Sequence, residues 1–436
     1  VGHVDAGKST LMGRMLVAAG RVDARALHKV EREAEALGKG SFRYAFLLDQ
    51  DQEERARGVT IEVGAAFFDV GSTSVNVLDA PGHRDFVPNM IGAAAQADAA
   101  LLVLNASTGE FESGLSGQTA EHVLVCRCFG VSQLLVAVNQ MDAVGWSQAR
   151  FDEVVARIAP MLKQAGFISP PPIFVPISAF HGTNLSPASI TAAAATATAV
   201  SAHAPPPLPL TAAWYRGPTL LEAIATLRSM PRTAVVGTRL CVNDAYKATG
   251  ALTLSGTLQA GAIAQGDKLL LMPGNEPVTV KSLNSRGEAV RQATAGDHVE
   301  VSLASAPADG ANSIGAGSVL CDPRRPVRVA RVIEVQLRTL SPPIPLTRGF
   351  TCELFCHAAC TPAVLSTFVC AVDKRGDRIS APKPRALGTQ AAAVVTLTLE
   401  RPICIEVGAA CKQMGRVLLR ETGRTLAAGI VTAIIS

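Results

Sequence analysis

The sequence predicts an α/β domain with a parallel-rich sheet and helices on both faces, followed by two all-β barrels. Three observations carry this. From Val1 to about Leu227, apolar strand runs alternate with longer helical segments. After about Arg232, short β-branched runs alternate with Gly and Asp turns. The basic, proline-bearing stretch DPRRPVRV (residues 322–329) then interrupts the β pattern, and a second all-β stretch runs from about Val327 to Ser436. The expected domains are residues 1–232, 233–325 and 326–436. Three domains suit 436 residues at roughly 150 per domain.

In order along the first domain, SVNVLDAPG (74–82), ALLVLNAS (100–107), LLVAVNQMD (134–142) and IFVPISA (173–179) read as strands running into loops. Helix candidates such as Thr119 to Phe129 and Ser147 to Ala165 lie between them. Residues 186–210 break the alternation. This Ala/Thr-rich stretch ends in prolines and lacks charge and periodicity, so it reads as an inserted flexible loop, with a short Ala-rich helix as the other reading. GALTLSGTLQAGAIAQGDKLLLM (250–272) reads as barrel strands. No internal repeat is found. The chain opens at Val1 inside a motif, so a preceding first strand is expected to lie outside it.

Composition bounds the function. Apolar residues make up 48% and charged residues 17%, enough to build real cores. A net charge of +4 permits an anionic partner without demanding one. Aromatics at 4% disfavour a surface that stacks single-stranded bases. No signal peptide or membrane span is read; the most apolar run, AALLVLNA (99–106), is too short. The ten cysteines form no paired framework. Cys352, Cys356 and Cys360 with His357 could hold a metal, but the segment reads as a strand running into a loop and has no C-x-x-C pair. Reduced thiols in a cytosolic protein fit better.

Gly2-His3-Val4-Asp5-Ala6-Gly7-Lys8-Ser9 fits G-x-x-x-x-G-K-[ST]. Its glycines let backbone N–H groups approach phosphate oxygens at the start of a helix. Val4, Asp5, Ala6, Gly7, Lys8, Ser9 and Thr10 are the candidate phosphate contacts. Lys8 supplies a point charge and Ser9 a hydroxyl for Mg²⁺. Asp79-Ala80-Pro81-Gly82 follows a strand, as D-x-x-G does in P-loop GTPases. There Asp79 would hold Mg²⁺ through a water and the Gly82 N–H would meet a γ-phosphate. Thr60 offers a switch hydroxyl to the same ion; read alone it is an ordinary strand residue. His83 lands where a water attacking the γ-phosphate would lie, and is the candidate catalytic residue.

Asn139, Gln140 and Asp142, with Ser178, Ala179 and Phe180, complete the set. The Asp142 carboxylate can accept from N1–H and N2–H₂ of guanine, a donor pair adenine lacks. Ser178 and the Ala179 N–H can support Asp142 and the guanine O6. Gln140 stands where N-K-x-D has lysine. It keeps a shorter stem and an amide donor but loses the charge, so weakened affinity with guanine specificity kept is expected.

Together GHVDAGKST, RGVTIEVG, DAPGHRDFVPNMI, NQMD and PISAF resemble the translational GTPases of the elongation factor 1-alpha superfamily. TGALTLSGTLQAGAIAQGDKLLLMP, AGDHV (295–299) and MGRVLLRETGRTLAAGIV resemble that superfamily's two β-barrels. Within it, GQTAEHVLVCRCFGVSQLLVAVN, VGWSQ (144–148) and LCVNDAYK (240–247) look most like the Hbs-type ribosome-rescue GTPases that partner Pelota. The resemblance implies an α/β P-loop GTPase domain with two barrels, GTP/GDP and Mg²⁺. It also implies delivery of a Pelota-type factor to stalled ribosomes, with ribosomal RNA positioning His83. Val4 and Val59 match an apolar pair beside that histidine. A monomer in the cytoplasm, without membrane contact, is implied. An aminoacyl-tRNA carrier, a peptide-release factor's GTPase and a non-hydrolysing nucleotide-binding scaffold are the alternatives. Arg324, Arg325 and Arg328 read as a solvated linker charge or an RNA contact.

Overall fold

The computed structural model describes residues 1–36, 38, 40, 43–47, 60, 63–71, 73–186, 208–230, 232, 236–248, 251–304, 314–373, 377–379 and 383–436. Val59 and most of the expected insertion (187–207) lie outside these. The chain forms two compact units, residues 1–229 less the segments 94–96 and 128–130, and residues 230–436 with those segments.

In the first unit, α1 (Lys8–Ala18) leaves the phosphate-loop turn and α2 (Ala24–Ala36) follows. β1 (Gly64–Val70) and β2 (Thr73–Asp79) form an antiparallel hairpin. The apolar pattern puts the 74–82 strand in the alternating series and marks no strand over 64–70. In the structure, the tight connection at Gly71 (φ 59) makes the two strands neighbours. α3 (Val87–Ala94) and β3 (Ala99–Asn105) come next, then α4 (Glu110–Ser116) and α5 (Gln118–Cys128). β4 (Gln133–Asn139), α6 (Gln148–Ala165), β5 (Ile173–Pro176) and α7 (Leu220–Ala225) complete the unit.

β3, β4 and β5 form a parallel sheet in that order. β4 is buried at every position but the first, the pattern of a strand covered on both faces. Val1 sits beside β3: its amino group donates to the Leu101 carbonyl and its carbonyl accepts from the Val103 N–H, both at 2.9 Å. Asn105 and Asn139 are register partners at the carboxyl ends of β3 and β4. The loops that leave these ends therefore converge, which is where open α/β sheets bind ligands.

The second unit holds two closed antiparallel barrels. In the first, Glu276–Ser285, His298–Leu303, Ala251–Ala260, Arg239–Ala248, Val319–Cys321 and Lys268–Met272 pair in sequence, and the last pairs back with the first. In the second, Thr351–Cys356, Arg416–Glu421, Arg424–Ile434, Arg328–Thr339, Ala392–Ile405 and Ala359–Val372 close in the same way. Closure removes the exposed strand edges. Each barrel is filled by its own Leu, Val and Ile cluster.

A third cluster, with Cys241, Cys321, Cys404, Cys411, Met272 and Met414, joins the two barrels. Across this seam the Arg239 guanidinium, 3% exposed, meets Glu406 Oε1 at 2.7 Å. The Cys352–Cys360 segment is a hairpin, not a strand ending in a loop, with His357 in the turn at φ 43. Cys352 and Cys356 point inward and Cys360 outward, because alternate strand residues face opposite sides. Among the described residues, no helix is long and apolar enough to cross a membrane.

Candidate functional site

The candidate residues gather on loops at one end of the first unit. Gly7 has φ 84 and caps α1, and a Cβ there would run into Asn139 Nδ2. Both the left-handed backbone and the close approach require glycine. Lys8 Nζ donates to the His3 carbonyl at 2.7 Å, folding the turn on itself. Burial holds the Lys8 ammonium below the ordinary lysine range, while Asp79 and Asp5 act against that shift. A desolvated cation beside backbone N–H groups is suited to phosphate. Val4 is half-buried at the start of the loop, and Thr10 lies in the first turn of α1.

Ser9 Oγ and Thr60 Oγ1 are 2.9 Å apart, so the two hydroxyls meet across 51 positions. Asp79, the last residue of β2, is 5% exposed. Its charge is felt at Lys8, which puts the carboxylate at the same end of the unit. Two hydroxyls and a carboxylate are hard oxygen donors, a set that fits Mg²⁺. A Cβ on Gly82 would meet Lys8 Nζ, and would lie 3.0 Å from the Gly2 carbonyl and 3.1 Å from the Val4 nitrogen. The loop after β2 thus rests on the Gly2–Ser9 turn, and a side chain at position 82 would crowd the Gly2 and Val4 backbone atoms there.

His83 caps the short helix at residues 84–86. Its Nδ1 accepts from the Asp85 N–H at 3.3 Å and lies 3.5 Å from the Asp85 carboxylate. Its ring also stands 5.8 Å from that of Phe86. With its amide oxygen facing the Arg84 N–H at 2.7 Å, Gln118 donates to His3 Nδ1 at 3.2 Å and to the Gly82 carbonyl. Gln118 therefore holds the backbone on both sides of His83. Gln118 does not stand out in the sequence, because its partners are set by how α5 is laid against His3 and the 82–84 segment, whereas Asp85 meets His83 from two positions away.

Asn139, 2% exposed, cross-links two loops: Nδ2 donates to the Ala6 carbonyl at 2.9 Å and Oδ1 accepts from the Ala179 N–H at 2.8 Å. The sequence offers the Ala179 N–H as a support for guanine O6. In the fold it donates to the buried Asn139 amide, which must find partners. Ser178 is wholly buried, and its Oγ accepts from the His181 N–H at 3.4 Å. Asp142 stands partly exposed, with His181 Nε2 3.7 Å away. Phe180 is 37% exposed and sits edge-on to Tyr44 at 6.5 Å. Behind it, Arg14 is buried, hydrogen-bonded to the Tyr44 hydroxyl and, at 3.1 Å, to the His181 carbonyl. Gln140, at φ 62, donates from Nε2 to the Asp5 carbonyl at 3.3 Å and accepts at Oε1 from Ser107 Oγ at 3.3 Å.

The elongation factor Tu GTP binding domain family matches residues 1–229, and the GTP-eEF1A C-terminal domain-like family matches residues 332–432. Protein HBS1 of Drosophila melanogaster is 41% identical over 437 residues, covering 100% of this chain and 62% of that protein. Elongation factor 1-alpha of Methanosarcina mazei is 35% identical over 435 residues, covering 100% of this chain and 96% of the relative. The GTPase-like domain of Ski7 from S. cerevisiae, solved bound to GTP, shares the fold at a TM-score of 0.79 and 14% identity, covering 99% of this chain and 96% of that one. A family model over residues 1–229, and relatives above 30% identity along the whole chain, lead to one assignment. The chain belongs to the elongation factor 1-alpha superfamily of translational GTPases, and its first unit is the guanine-nucleotide domain.

Proposed function

We propose that this chain is the GTPase of a cytoplasmic ribosome-rescue system, which carries a Pelota-type factor to stalled ribosomes and hydrolyses GTP there. The observation that carries the reading is the convergence of Lys8, Ser9, Thr60, Gly82 and Asn139 at one end of the sheet, with Ser9 bonded to Thr60, Gly82 close to Lys8 and Val4, and Asn139 bonded to Ala6. The rescue assignment is supported by 41% identity to HBS1 along the full chain, against 35% to elongation factor 1-alpha of M. mazei.

In this reading, backbone N–H groups of residues 5–9 and Lys8 Nζ bind the phosphates. Ser9, Thr60 and Asp79 would hold Mg²⁺, which when bound neutralises charge on the β and γ phosphates. The Gly82 N–H meets the γ-phosphate. Asp142 accepts from the guanine N1–H and N2–H₂ once the base displaces His181. His83 orients the attacking water after ribosomal RNA draws it from Asp85. The division at 1–232, 233–325 and 326–436 separates this chemistry from two docking barrels. The monomer is the working form.

Single-turnover GTP hydrolysis on stalled ribosomes tests this. His83→Ala is expected to slow hydrolysis by about 10²- to 10⁴-fold with GDP affinity unchanged. Equal rates would remove His83 from the mechanism, and no turnover in the parent chain would leave a nucleotide-binding scaffold. The GTP-locked form should capture a Pelota-type factor; capture of charged tRNA or a release factor would refute rescue.

A further inference from the structure

Lysine is absent at position 140, yet the base loop is still bonded to the phosphate loop. Gln140 Nε2 reaches the Asp5 carbonyl at 3.3 Å. Both residues are left-handed, at φ 62 and φ 58, so this bond joins two tight turns. The Asp5 carbonyl can only accept, which selects the nitrogen end of the amide. The oxygen end then faces Ser107, whose hydroxyl donates to it at 3.3 Å.

Ser107 is itself fixed. Its N–H donates to Asn105 Oδ1 at 2.8 Å, and its carbonyl accepts from Arg150 Nη2 at 3.2 Å. The Arg150 side chain, 10% exposed, also donates to the Ala106 carbonyl at 2.8 Å and pairs with Glu112 and Glu153. The hydroxyl is therefore presented from a loop held at several points.

We infer that Ser107 is a nucleotide-positioning residue: it anchors the second end of the Gln140 amide and so holds the guanine loop against the phosphate loop. The inference rests on the reading of residues 139–142 as the guanine loop. Tethered at one end only, a glutamine with three side-chain torsions reaches Asp5 intermittently, and the ordering entropy opposes the bond. Anchored at both ends, the amide becomes a fixed strut. A lysine in the same place carries donors and no acceptor, so it needs no donor opposite. Dependence on Ser107 is thus specific to glutamine at position 140.

The test is the dissociation rate of N-methylanthraniloyl GDP from the full chain. Ser107→Ala is expected to raise it about 3- to 10-fold, the worth of one net hydrogen bond. Ser107→Thr, which keeps the hydroxyl, restores the parent rate. Gln140→Ala raises the rate, and adding Ser107→Ala to it changes nothing more. In a Gln140→Lys background, Ser107→Ala has no effect. Melting midpoints alike in all variants exclude a folding defect. A parent-like rate in Ser107→Ala, or an equal effect in the lysine background, overturns the inference. If Gln140→Ala itself leaves the rate unchanged, the guanine-loop reading of position 140 fails first, which separates the two failures.

Discussion

The Asp142 carboxylate is partly exposed, with His181 Nε2 3.7 Å away. In the proposed function this carboxylate accepts from the N1–H and N2–H₂ of guanine. Asparagine offers a donor in place of one acceptor, which guanine cannot use and xanthine can, through its carbonyl at C2. Asp142→Asn is expected to lose GDP affinity by about 10²-fold or more and to gain xanthosine diphosphate binding, measured by equilibrium titration with both nucleotides. The roles proposed for Asp142, Lys8 and Gly82 rest on residue type and local spacing in the sequence. Gln118 is not legible as a partner of the His83 segment. A glutamine amide has no spacing rule, and its partners His3 and Gly82 lie far away along the chain.

Elements show their ends more clearly than their neighbours. α6 is expected over Ser147 to Ala165 and runs Gln148–Ala165 with Ser147 as its cap, accepting from the Arg150 N–H at 3.3 Å. Gly166 at φ 97 closes it. Ser147→Ala is expected to cost about 1 kcal/mol, read as a lower melting midpoint. The 351–372 hairpin shows what pattern alone misses, since only strand pairing puts His357 in a buried turn. Its Nε2–H donates to the Cys404 carbonyl at 2.8 Å, and burial pushes its pKa down to about 4. An unfolded histidine titrates near ~6.5, so between the two values the unfolded chain binds a proton that the folded chain does not. Stability is therefore retained above that window and falls as pH drops through it, by at most about 3 kcal/mol. His357→Asn, which tolerates the left-handed turn, should flatten the urea-midpoint profile between pH 4 and pH 6.5. A slope equal to the parent's would remove His357 as the cause.

At the scale of the molecule, the two barrels share a buried seam in which Arg239 and Glu406 face each other. Glu406→Ala leaves a guanidinium buried without its carboxylate and is expected to cost about 3–5 kcal/mol in denaturant unfolding. Replacing both residues by apolar ones of similar volume should recover most of that loss, because the pair's attraction is largely offset by its desolvation. Neither residue stands out in the sequence, where each is one charge among many. By itself the sequence determined the α/β and β-barrel character and the superfamily, and it supplied the residues proposed for phosphate, metal and base. These follow from local spacing, apolar periodicity and residue chemistry. Only the tertiary structure decided which loops touch, that Asn139 and Gln140 bond the Ala6 and Asp5 carbonyls, and that the Ser107 hydroxyl donates to the glutamine. Contacts between positions far apart in the chain depend on how strands are registered and helices packed, and no local pattern encodes that pairing.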